Sequence, residues 1–426
     1  MSQGNYPRLL SGWQTVPLKH AVSINPEVLP DYTPPDTLLS YVDIAALENG
    51  VADLNPTEVT FEAAPSRARR VLRDGDTILS TVRTYLKAVA SFPKVDANLI
   101  ASTGFAVLRP NGMLHSRFAY WAALAEPFIE NVVAHSDGVS YPSINPTLLG
   151  TLPIVVPPAT DQKRIAIFLD DKTARIDALI ADKELLVEKL REYWRSVSAE
   201  IVVRGIRKSS SVTETGIPWL GKTPSHWELR PMKTLFRLVT EQSEDDHGLE
   251  LLSLYTDIGV RPRKDLEQKG NRASNTDGYW LVQKDDLVVN KLLAWMGAIA
   301  ASNYSGVTSP AYDILRPTAD INTWYYDALF RSGIYLTEFK SKSRGIMDMR
   351  LRLYFEELGT VKVPFPPREE QDEIVKALHA KKAHIDELID HCVAHIDRLH
   401  EYRSSLISAA VTGQIDVSKY KEMETA

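Results

Sequence analysis

The sequence predicts an α+β fold in which two similar mixed α/β domains are joined by two long helices. We expect these helices to pair as an antiparallel coiled coil, which would give the chain approximate twofold symmetry. Three observations lead to this prediction. The chain of 426 residues exceeds the usual size of a single domain, one set of motifs occurs twice, and each copy ends in a long heptad pattern.

The second half of the chain repeats the motifs of the first half in the same order. The matched segments are Trp13 to Lys19 with Trp227 to Lys233, Leu38 to Ile44 with Leu251 to Ile258, Ser102 to Pro110 with Ser309 to Pro317, and Gly150 to Pro158 with Gly359 to Pro367. Four matches in one order indicate an internal duplication. Within each half, short β-type runs alternate with turn residues and one shorter helical segment, which predicts a mixed α/β domain.

A long helix is predicted after the proline pair that ends each domain. Its apolar positions alternate in steps of four and three, which is typical of a coiled-coil seam. In the first helix the seam is Ile165, Leu169, Lys172, Ile176, Leu179, Lys183, Leu186, Leu190, Tyr193 and Val197. In the second helix it is Ile374, Leu378, Lys381, Ile385, Leu388, Cys392, His395, Leu399, Tyr402 and Leu406. Parallel and antiparallel pairing both remain open, and we favour the antiparallel one because a domain precedes each helix.

These patterns divide the chain into five segments. We expect a first domain over residues 1–158, a first spacer helix over 159–206, a linker and second domain over 207–366, a second spacer helix over 367–413, and a mobile tail over 414–426. The linker is predicted from the polar run at Arg207 to Ser211, which breaks the helical period.

Composition restricts the location and chemistry of the protein. No stretch approaches the roughly 18 apolar residues of a membrane span, and the chain begins without the pattern of a signal peptide, so we expect a cytoplasmic protein with no membrane partner. The single cysteine, Cys392, excludes an internal disulfide and an all-cysteine metal site, and a buried thiol is its simplest role. The net charge of −6 is unusual for a protein that binds phosphates. Basic residues nevertheless cluster at Arg67 to Arg73 and at Lys340 to Arg352.

The duplicated motif resembles a known family. Pro157-Pro158 followed by Gln162, and Pro366-Pro367 followed by Gln371, each precede an isoleucine-rich helix that ends near Val203 to Gly205 or Val411 to Gly413. This arrangement resembles the specificity subunits of type I restriction-modification systems over nearly the whole chain. The segment Gly216-Ile-Pro-Trp219-Leu-Gly221 also resembles the segment that precedes a recognition domain in this family.

The resemblance implies a non-catalytic protein that binds double-stranded DNA. Each domain would be a target recognition domain, the helices would form a spacer, and two methyltransferase subunits would dock on the chain, joined by restriction and translocase subunits. No cofactor is implied for this chain; S-adenosylmethionine, ATP and Mg²⁺ would belong to the partner subunits. Arg83 to Lys87 corresponds to Leu293 to Gly297, so the two halves of the DNA target should differ and the bipartite target should be asymmetric.

Basic and aromatic residues in loops are the candidates for DNA contact, because Arg and Lys bind phosphates and can also recognise base edges. The candidates in the first half are Arg67, Arg69, Arg70, Arg83, Tyr85, Lys87 and Tyr141. The candidates in the second half are Arg261, Arg263, Lys291, Trp295, Lys340, Lys342, Arg344 and Arg350. For each of them, surface solvation or core packing is an equally simple role.

Two alternatives remain open. The chain could be a single-chain DNA methyltransferase or nuclease with an unrecognised motif, or a coiled-coil adaptor that binds proteins. The sequence motifs that would indicate an enzyme are weak. Gly216 to Thr223 matches the consensus of a phosphate-binding loop, but it contains bulky residues and is followed by Pro224. The proline pairs lack the flanking residues of an adenine methyltransferase element. His391 and His395 have no evident third ligand, so no metal site is predicted.

Overall fold

The structure is a computed structural model that describes residues 10–48, 51–52, 56–207, 211–244, 248–265, 278–345, 351–417 and 420. Its contacts divide the chain into two compact units, Met1–Glu184 with Ala394–Ala426, and Leu185–Val393. The predicted recognition residue Arg350, residues 208–210 of the linker predicted over Gly205 to Gly216, and most of the tail lie outside the described residues. None of the described helices is both long enough and apolar enough to cross a membrane.

The first half of the chain builds a domain of strands with short helices. Its strands are β1 (Gln14–Pro17), β2 (Val22–Ile24), β3 (Leu38–Val42), β4 (Leu47–Glu48), β5 (Val51–Ala52), β6 (Thr57–Thr60), β7 (Ala68–Val71), β8 (Asp76–Ser80), β9 (Val89–Phe92), β10 (Leu99–Ser102), β11 (Phe105–Pro110) and β12 (Pro153–Val156). Its helices are α1 (Leu18–Ala21), α2 (Ser116–Leu124), α3 (Glu126–Ala134) and α4 (Pro146–Leu149), and the long helix α5 (Ala159–Arg204) follows.

Two four-stranded sheets form this domain. One has the order β2-β11-β8-β9 and is antiparallel throughout. The other has the order β6-β3-β10-β7, with β10 parallel to β3. Strand β8 is buried along its whole length because both of its faces are covered: Leu79 packs in a cluster with Phe118 of α2, and Ile78 packs in another with Phe105. Strand β1 pairs with β12, which brings the start of the domain beside the strand that leads into α5.

The second half has a similar construction, in which the described residues form one four-stranded sheet and several two-stranded ones. Its strands are β13 (Val212–Glu214), β14 (Lys222–Pro224), β15 (Glu228–Pro231), β16 (Phe236–Val239), β17 (Leu252–Tyr255), β18 (Gly259–Pro262), β19 (Trp280–Val282), β20 (Leu287–Asn290), β21 (Ile299–Ala301), β22 (Gly306–Thr308), β23 (Tyr312–Pro317) and β24 (Lys362–Phe365). Its helices are α6 (Thr323–Arg331), α7 (Leu336–Lys342) and α8 (Phe355–Leu358), followed by the long helix α9 (Arg368–Val411).

The sheet order confirms the duplication in three dimensions. An antiparallel sheet β16-β23-β20-β21 stands where β2-β11-β8-β9 stands in the first half. Strands β15 and β24 pair as β1 and β12 do. The predicted α+β fold, with two similar mixed domains and two long helices, is therefore confirmed.

The two long helices contact each other through opposite ends in each unit. In the first unit, Ile165 and Leu169 near the start of α5 share a buried cluster with Leu406 and Ala410 near the end of α9. In the second unit, Val202 at the end of α5 packs in a cluster with residues near the start of α9, Ile374 and Leu378. Within each unit the pairing is antiparallel, as favoured from the order of the elements.

From Leu179 in α5 and from Leu388 in α9 onwards, the helix seam differs from the predicted one at every second position. Ile165, Leu169, Ile176, Ile374, Leu378 and Ile385 are buried as predicted, and Leu190 and Leu399 are half-buried. Leu179 and Leu388 are exposed at 50% and 37%, however, and the prediction that they belong to the seam is wrong. The residues that follow them, Ile180 and Ile389, turn inward instead.

The reason for this error lies in adjacent apolar pairs. Leu179 precedes Ile180, Leu186 precedes Val187 and Tyr193 precedes Trp194, so two seam phases are equally apolar in the sequence. An α-helix has 3.6 residues per turn, so an alternation of four and three can start in either order. Packing selects the phase that contains Ile180 and Val187, which are 7% and 6% exposed.

A buried glutamine holds the start of each long helix against its own domain. The Gln162 side chain accepts a hydrogen bond from the His115 N–H at 2.7 Å and donates to the carbonyls of Pro157 (2.8 Å) and Met113 (3.1 Å). Gln371 accepts from the Asn322 N–H and donates to the Pro366 carbonyl, both at 2.8 Å.

A tryptophan adds a second link at the same place. The Trp13 indole N–H donates to Asp161 at 3.3 Å, and the Trp227 indole N–H donates to Glu370 at 2.9 Å. Each acceptor lies in the first turn of a long helix, where a carboxylate is favourable. The first strand of each domain and its helix are thus tied together, which gives a physical role to the repeated Trp and Gln motifs.

Part of the tail packs on the first unit, although the whole tail was expected to be mobile. Val417 is buried in the same cluster as α5, and the Tyr420 ring lies edge-on to Phe168 with centroids 4.9 Å apart. The Tyr420 hydroxyl also bonds to Asp171. Cys392 is a buried thiol, as predicted.

Replacing Ile180 by alanine should lower the free energy of unfolding by about 3 kcal/mol, because a buried side chain is lost from a packed seam. Replacing its neighbour Leu179 should lower it by only about 0.5 kcal/mol, as for an exposed site. Chemical denaturation of the two variants measures the difference. Equal losses, or a larger loss for Leu179, would contradict the observed seam.

Replacing Gln371 by methionine should lower the free energy of unfolding by about 3 kcal/mol, because the Asn322 N–H and the Pro366 carbonyl lose their partner in a buried place. The matched control is Glu369→Met, which changes an exposed residue of the same helical turn and should cost below about 1 kcal/mol. If denaturation shows the same stability for both variants, Gln371 does not hold the helix.

Candidate nucleic-acid interface

Two loops lie side by side at one end of the central strands of the first unit. The loop after β8 (residues 81–88) contacts the loop between α3 and α4 (residues 135–145), because the Arg83 N–H donates to the Pro142 carbonyl at 2.8 Å and Val82 bridges to Ser143. We call these two segments the first loop surface.

The backbone of the first loop surface is held in an uncommon conformation. Arg83 and Lys87 have φ values of 49° and 53°, in the left-handed region that side chains other than glycine rarely adopt. The turn between them, Thr84–Leu86, is anchored by buried Thr84, whose hydroxyl donates to Ser136 at 2.8 Å. Such conformations persist where the surroundings impose them, and they concentrate at binding sites.

The side chains of the first loop surface combine positive charge with exposed aromatic rings. The Arg83 guanidinium lies 4.8 Å from the centre of the Tyr141 ring, and Tyr85 and Tyr141 are exposed. Lys87 lies 3.5 Å from Glu126 in a solvent-exposed pair, which holds it weakly. The structure therefore brings together the predicted residues Arg83, Tyr85, Lys87 and Tyr141, a set suited to phosphates and base edges.

Of the basic stretch around β7, Arg67 is connected to the first loop surface through its backbone. The Arg67 carbonyl accepts from the Thr103 N–H at 2.8 Å, and the neighbouring Gly104 carbonyl accepts from Thr81 of the loop after β8. The Arg67 guanidinium lies 2.8 Å from Asp43. Burial disfavours the charged form of Asp43, but the Ala45 N–H, the Tyr41 hydroxyl and Arg67 outweigh it and hold the pKa of this carboxyl below its usual value.

The other two arginines of β7 serve the domain itself. Arg69 lies 4.9 Å from the Phe61 ring centre and 3.6 Å from Asp31. Arg70 is half-buried, burial lowers its pKa, and its Nε has no hydrogen-bond partner among the described residues. These contacts give Arg69 a packing role, and the role of Arg69 and Arg70 in DNA contact stays a prediction.

The second unit has two loops in the equivalent place. The loop after β20 (residues 291–298) contacts the described residues between α7 and α8 (residues 343–345 and 351–354), because the Leu353 N–H donates to the Lys291 carbonyl at 2.9 Å. Arg344 and Arg352 exchange backbone hydrogen bonds of 2.9 Å, as Asp137 and Ser143 do in the first unit. We call these two segments the second loop surface.

The second loop surface carries cations beside apolar side chains. Next to this surface, the Lys340 ammonium near the end of α7 lies 5.1 Å from the Trp295 ring centre, and Lys342, the last residue of this helix, is half-buried. Arg344 pairs with Glu357. Leu292, Leu293 and Met296 are exposed at 39%, 40% and 52%. None of these three residues is among the DNA-contact candidates predicted from the sequence, because no local sequence pattern indicates that an apolar residue is exposed.

Three of the predicted residues of the second half have other partners. Lys291 lies 3.2 Å from Asp313 and donates to the Pro310 carbonyl at 2.9 Å. Burial raises the pKa of Asp313, and the charge of Lys291 opposes this shift. Lys291 is therefore the counterion of a buried carboxylate.

Arg261 lies on β18 and Arg263 directly follows this strand. The Arg261 guanidinium donates to the Tyr304 hydroxyl at 3.0 Å, and the Arg263 N–H donates to the Leu251 carbonyl at 2.8 Å. Arg261 also lines a cavity of about 890 Å³ within the second unit, together with residues of α6 and of both long helices.

A buried ion pair supports each loop surface. Asp76 at the start of β8 accepts two hydrogen bonds of 2.8 Å from Arg109 of β11. Asp286, directly before β20, accepts two of 2.9 Å from Arg316 of β23. Bidentate pairs of this kind fix side-chain geometry as well as charge. The strands that lead into the two loop surfaces are thus held in the same way.

Comparison with known proteins assigns this architecture. Residues 55–189 match the family model described as the type I restriction modification DNA specificity domain. A relative from Methanocaldococcus jannaschii, named as the type I restriction enzyme MjaX specificity subunit, is 22% identical over 357 residues, which are 80% of this chain and 79% of the relative.

Two solved structures have the same fold over almost the whole chain. The HsdS subunit from Thermoanaerobacter tengcongensis matches with a TM-score of 0.59 and 22% identity, covering 97% of this chain and 100% of that one. The second match is a chain from a structure whose description concerns complex assembly and conformational transition of the type I R-M system. Its TM-score is 0.72 and its identity 21%, covering 96% of this chain and 100% of that one.

The fold and the matched domain are those of a DNA specificity protein, the class that supplies sequence recognition and is not the catalytic component of its system. Residues 55–189 of this chain are thus similar to the type I restriction modification DNA specificity domain, and most of the chain is similar to a type I specificity subunit. The resemblance drawn from the repeated proline, glutamine and helix motifs is confirmed.

Proposed function

We propose that this chain recognises an asymmetric, two-part DNA target in the cytoplasm, on behalf of two methyltransferase subunits that dock on it. Restriction and translocase subunits complete the assembly, and S-adenosylmethionine, ATP and Mg²⁺ are held by the partners. The domains within residues 1–158 and 207–366 act as the two target recognition domains. The observation that carries this proposal is the presence of two equivalent loop surfaces with different side chains.

The difference between the loop surfaces supports an asymmetric target. The turns Thr84–Leu86 and Ala294–Met296 occupy the same place after equivalent strands. Arg83 and Lys87 flank the first turn, whereas Leu293 and Gly297 flank the second. Because base edges differ in donors, acceptors and methyl groups, loops with such different chemistry select different bases.

The net charge of −6 supports a role for partners in DNA binding. Contacts to phosphates from Lys and Arg dominate the affinity of most DNA-binding proteins. We therefore expect the isolated chain to bind DNA weakly, and the complex with methyltransferase subunits to bind tightly and with sequence preference.

Mapping methylated adenines in host genomes with and without this gene tests the proposed function. The expected result is one bipartite motif that is methylated only when the gene is present. In binding assays, the complex of the full chain with its methyltransferase subunits should prefer DNA that contains this motif. A methylation pattern that does not change with the gene, or a complex without sequence preference, would contradict the proposal.

Replacing Arg83 by alanine should weaken binding of the complex to its target about tenfold, because a direct contact of an exposed arginine is lost. The matched control is Arg73→Ala, which removes the same charge from the turn that precedes β8, where Arg73 pairs with Glu27. The control should bind within about twofold of the wild type. Equal weakening in both variants would show a general effect of charge and would remove Arg83 from the interface.

A further inference from the structure

The second loop surface lacks the charges that its counterpart carries at equivalent positions. After the shared buried residue, Thr84 in one loop and Ala294 in the other, Tyr85 corresponds to Trp295 and Lys87 to Gly297. Arg83 before it corresponds to Leu293. The one cation of the second loop, Lys291, is held by Asp313 at 3.2 Å.

Apolar side chains extend into solvent from this loop. Leu292, Leu293 and Met296 keep 39%, 40% and 52% of their surface exposed, while Ala294 between them is fully buried. Ala294 thus anchors the loop and its neighbours project outward. Three large apolar residues on one short loop form a patch of the kind that marks an interaction surface.

The cations beside this patch favour DNA as its occupant. Lys340 lies over the Trp295 ring at 5.1 Å, and Lys342 ends the same helix. Arg344 follows, and it stays exposed in its pair with Glu357. Positive charge on the flank of an apolar tip matches a DNA groove, whose walls are phosphates and whose floor presents base edges. The apolar tip then meets the bases, and the flanking cations meet the backbone.

Among the base edges of the major groove, thymine alone presents a methyl group, and an apolar side chain is its natural partner. We infer that Leu293, with Leu292 and Met296, recognises the C5-methyl group of thymine in the half of the target that the second domain binds. This inference rests on the proposed function and assigns a specificity-determining role to residues that carry no charge.

Uracil tests the inference because it differs from thymine only by this methyl group. Each thymine of the bipartite target, on both strands, is replaced in turn by uracil, and binding by the complex of the full chain with its methyltransferase subunits is measured. At one or more positions in one half-target, binding should weaken about fourfold, the value expected for one buried methyl group. Indifference to uracil at every position, or a half-target without an A·T pair, overturns the inference.

The variant Leu293→Ala completes the test. In this variant the effect of uracil at the sensitive position should be lost, since the partner of the methyl group is gone. The matched variant Arg83→Ala, in the other domain, should keep the full uracil effect. If Leu293→Ala weakens assembly with the methyltransferase subunits and leaves the uracil effect unchanged, the patch binds protein and the inference fails.

These outcomes separate the inference from the proposed function. A complex with no preference for any DNA sequence contradicts the proposed function itself. A complex that prefers the bipartite target but tolerates uracil throughout contradicts only the role of thymine. Thermal unfolding of Leu293→Ala, expected to match that of the wild type because the side chain is exposed, confirms that the variant is folded.

Discussion

The hydrogen bonds of one buried glutamine in each half of the chain determine how a domain and its long helix are joined. Gln162 forms hydrogen bonds with backbone groups directly after the last strand of its domain and in the loop before α2. Gln371 forms the equivalent hydrogen bonds in the second half. A buried amide without these partners would be costly, so the helix can leave its domain in one direction only. The helix pairing and the placement of the loops within each unit depend on this junction.

On this shared framework the two domains differ where they meet solvent. The ion pairs Asp76 with Arg109 and Asp286 with Arg316 hold equivalent strands, and the turns that follow sit in equivalent places. The side chains that project from these turns are cationic and aromatic in one domain and largely apolar in the other. Duplication therefore preserved the buried contacts that specify the fold and left the exposed positions free to diverge in specificity.

The helix seam and the candidate interface show where sequence reasoning loses precision. Adjacent apolar residues such as Leu179 and Ile180 satisfy two heptad phases, and the partner helix decides between them. Among the basic residues, Lys291 was proposed for DNA contact but neutralises Asp313, and Arg69 packs on Phe61. A cation whose partner is distant in sequence cannot be distinguished from a free one until the chain is folded.

The sequence by itself determined the duplication, the mixed α/β class, the two long helices and the resemblance to type I specificity subunits, because all of these depend on repeated or periodic signals along the chain. It also indicated the loop with Arg83 and Tyr85 and its counterpart with Trp295. Only the tertiary structure decided which face of each helix is buried, which cations remain at the surface and which apolar residues project from the second loop. Those properties depend on contacts between residues far apart in sequence, which no local pattern records.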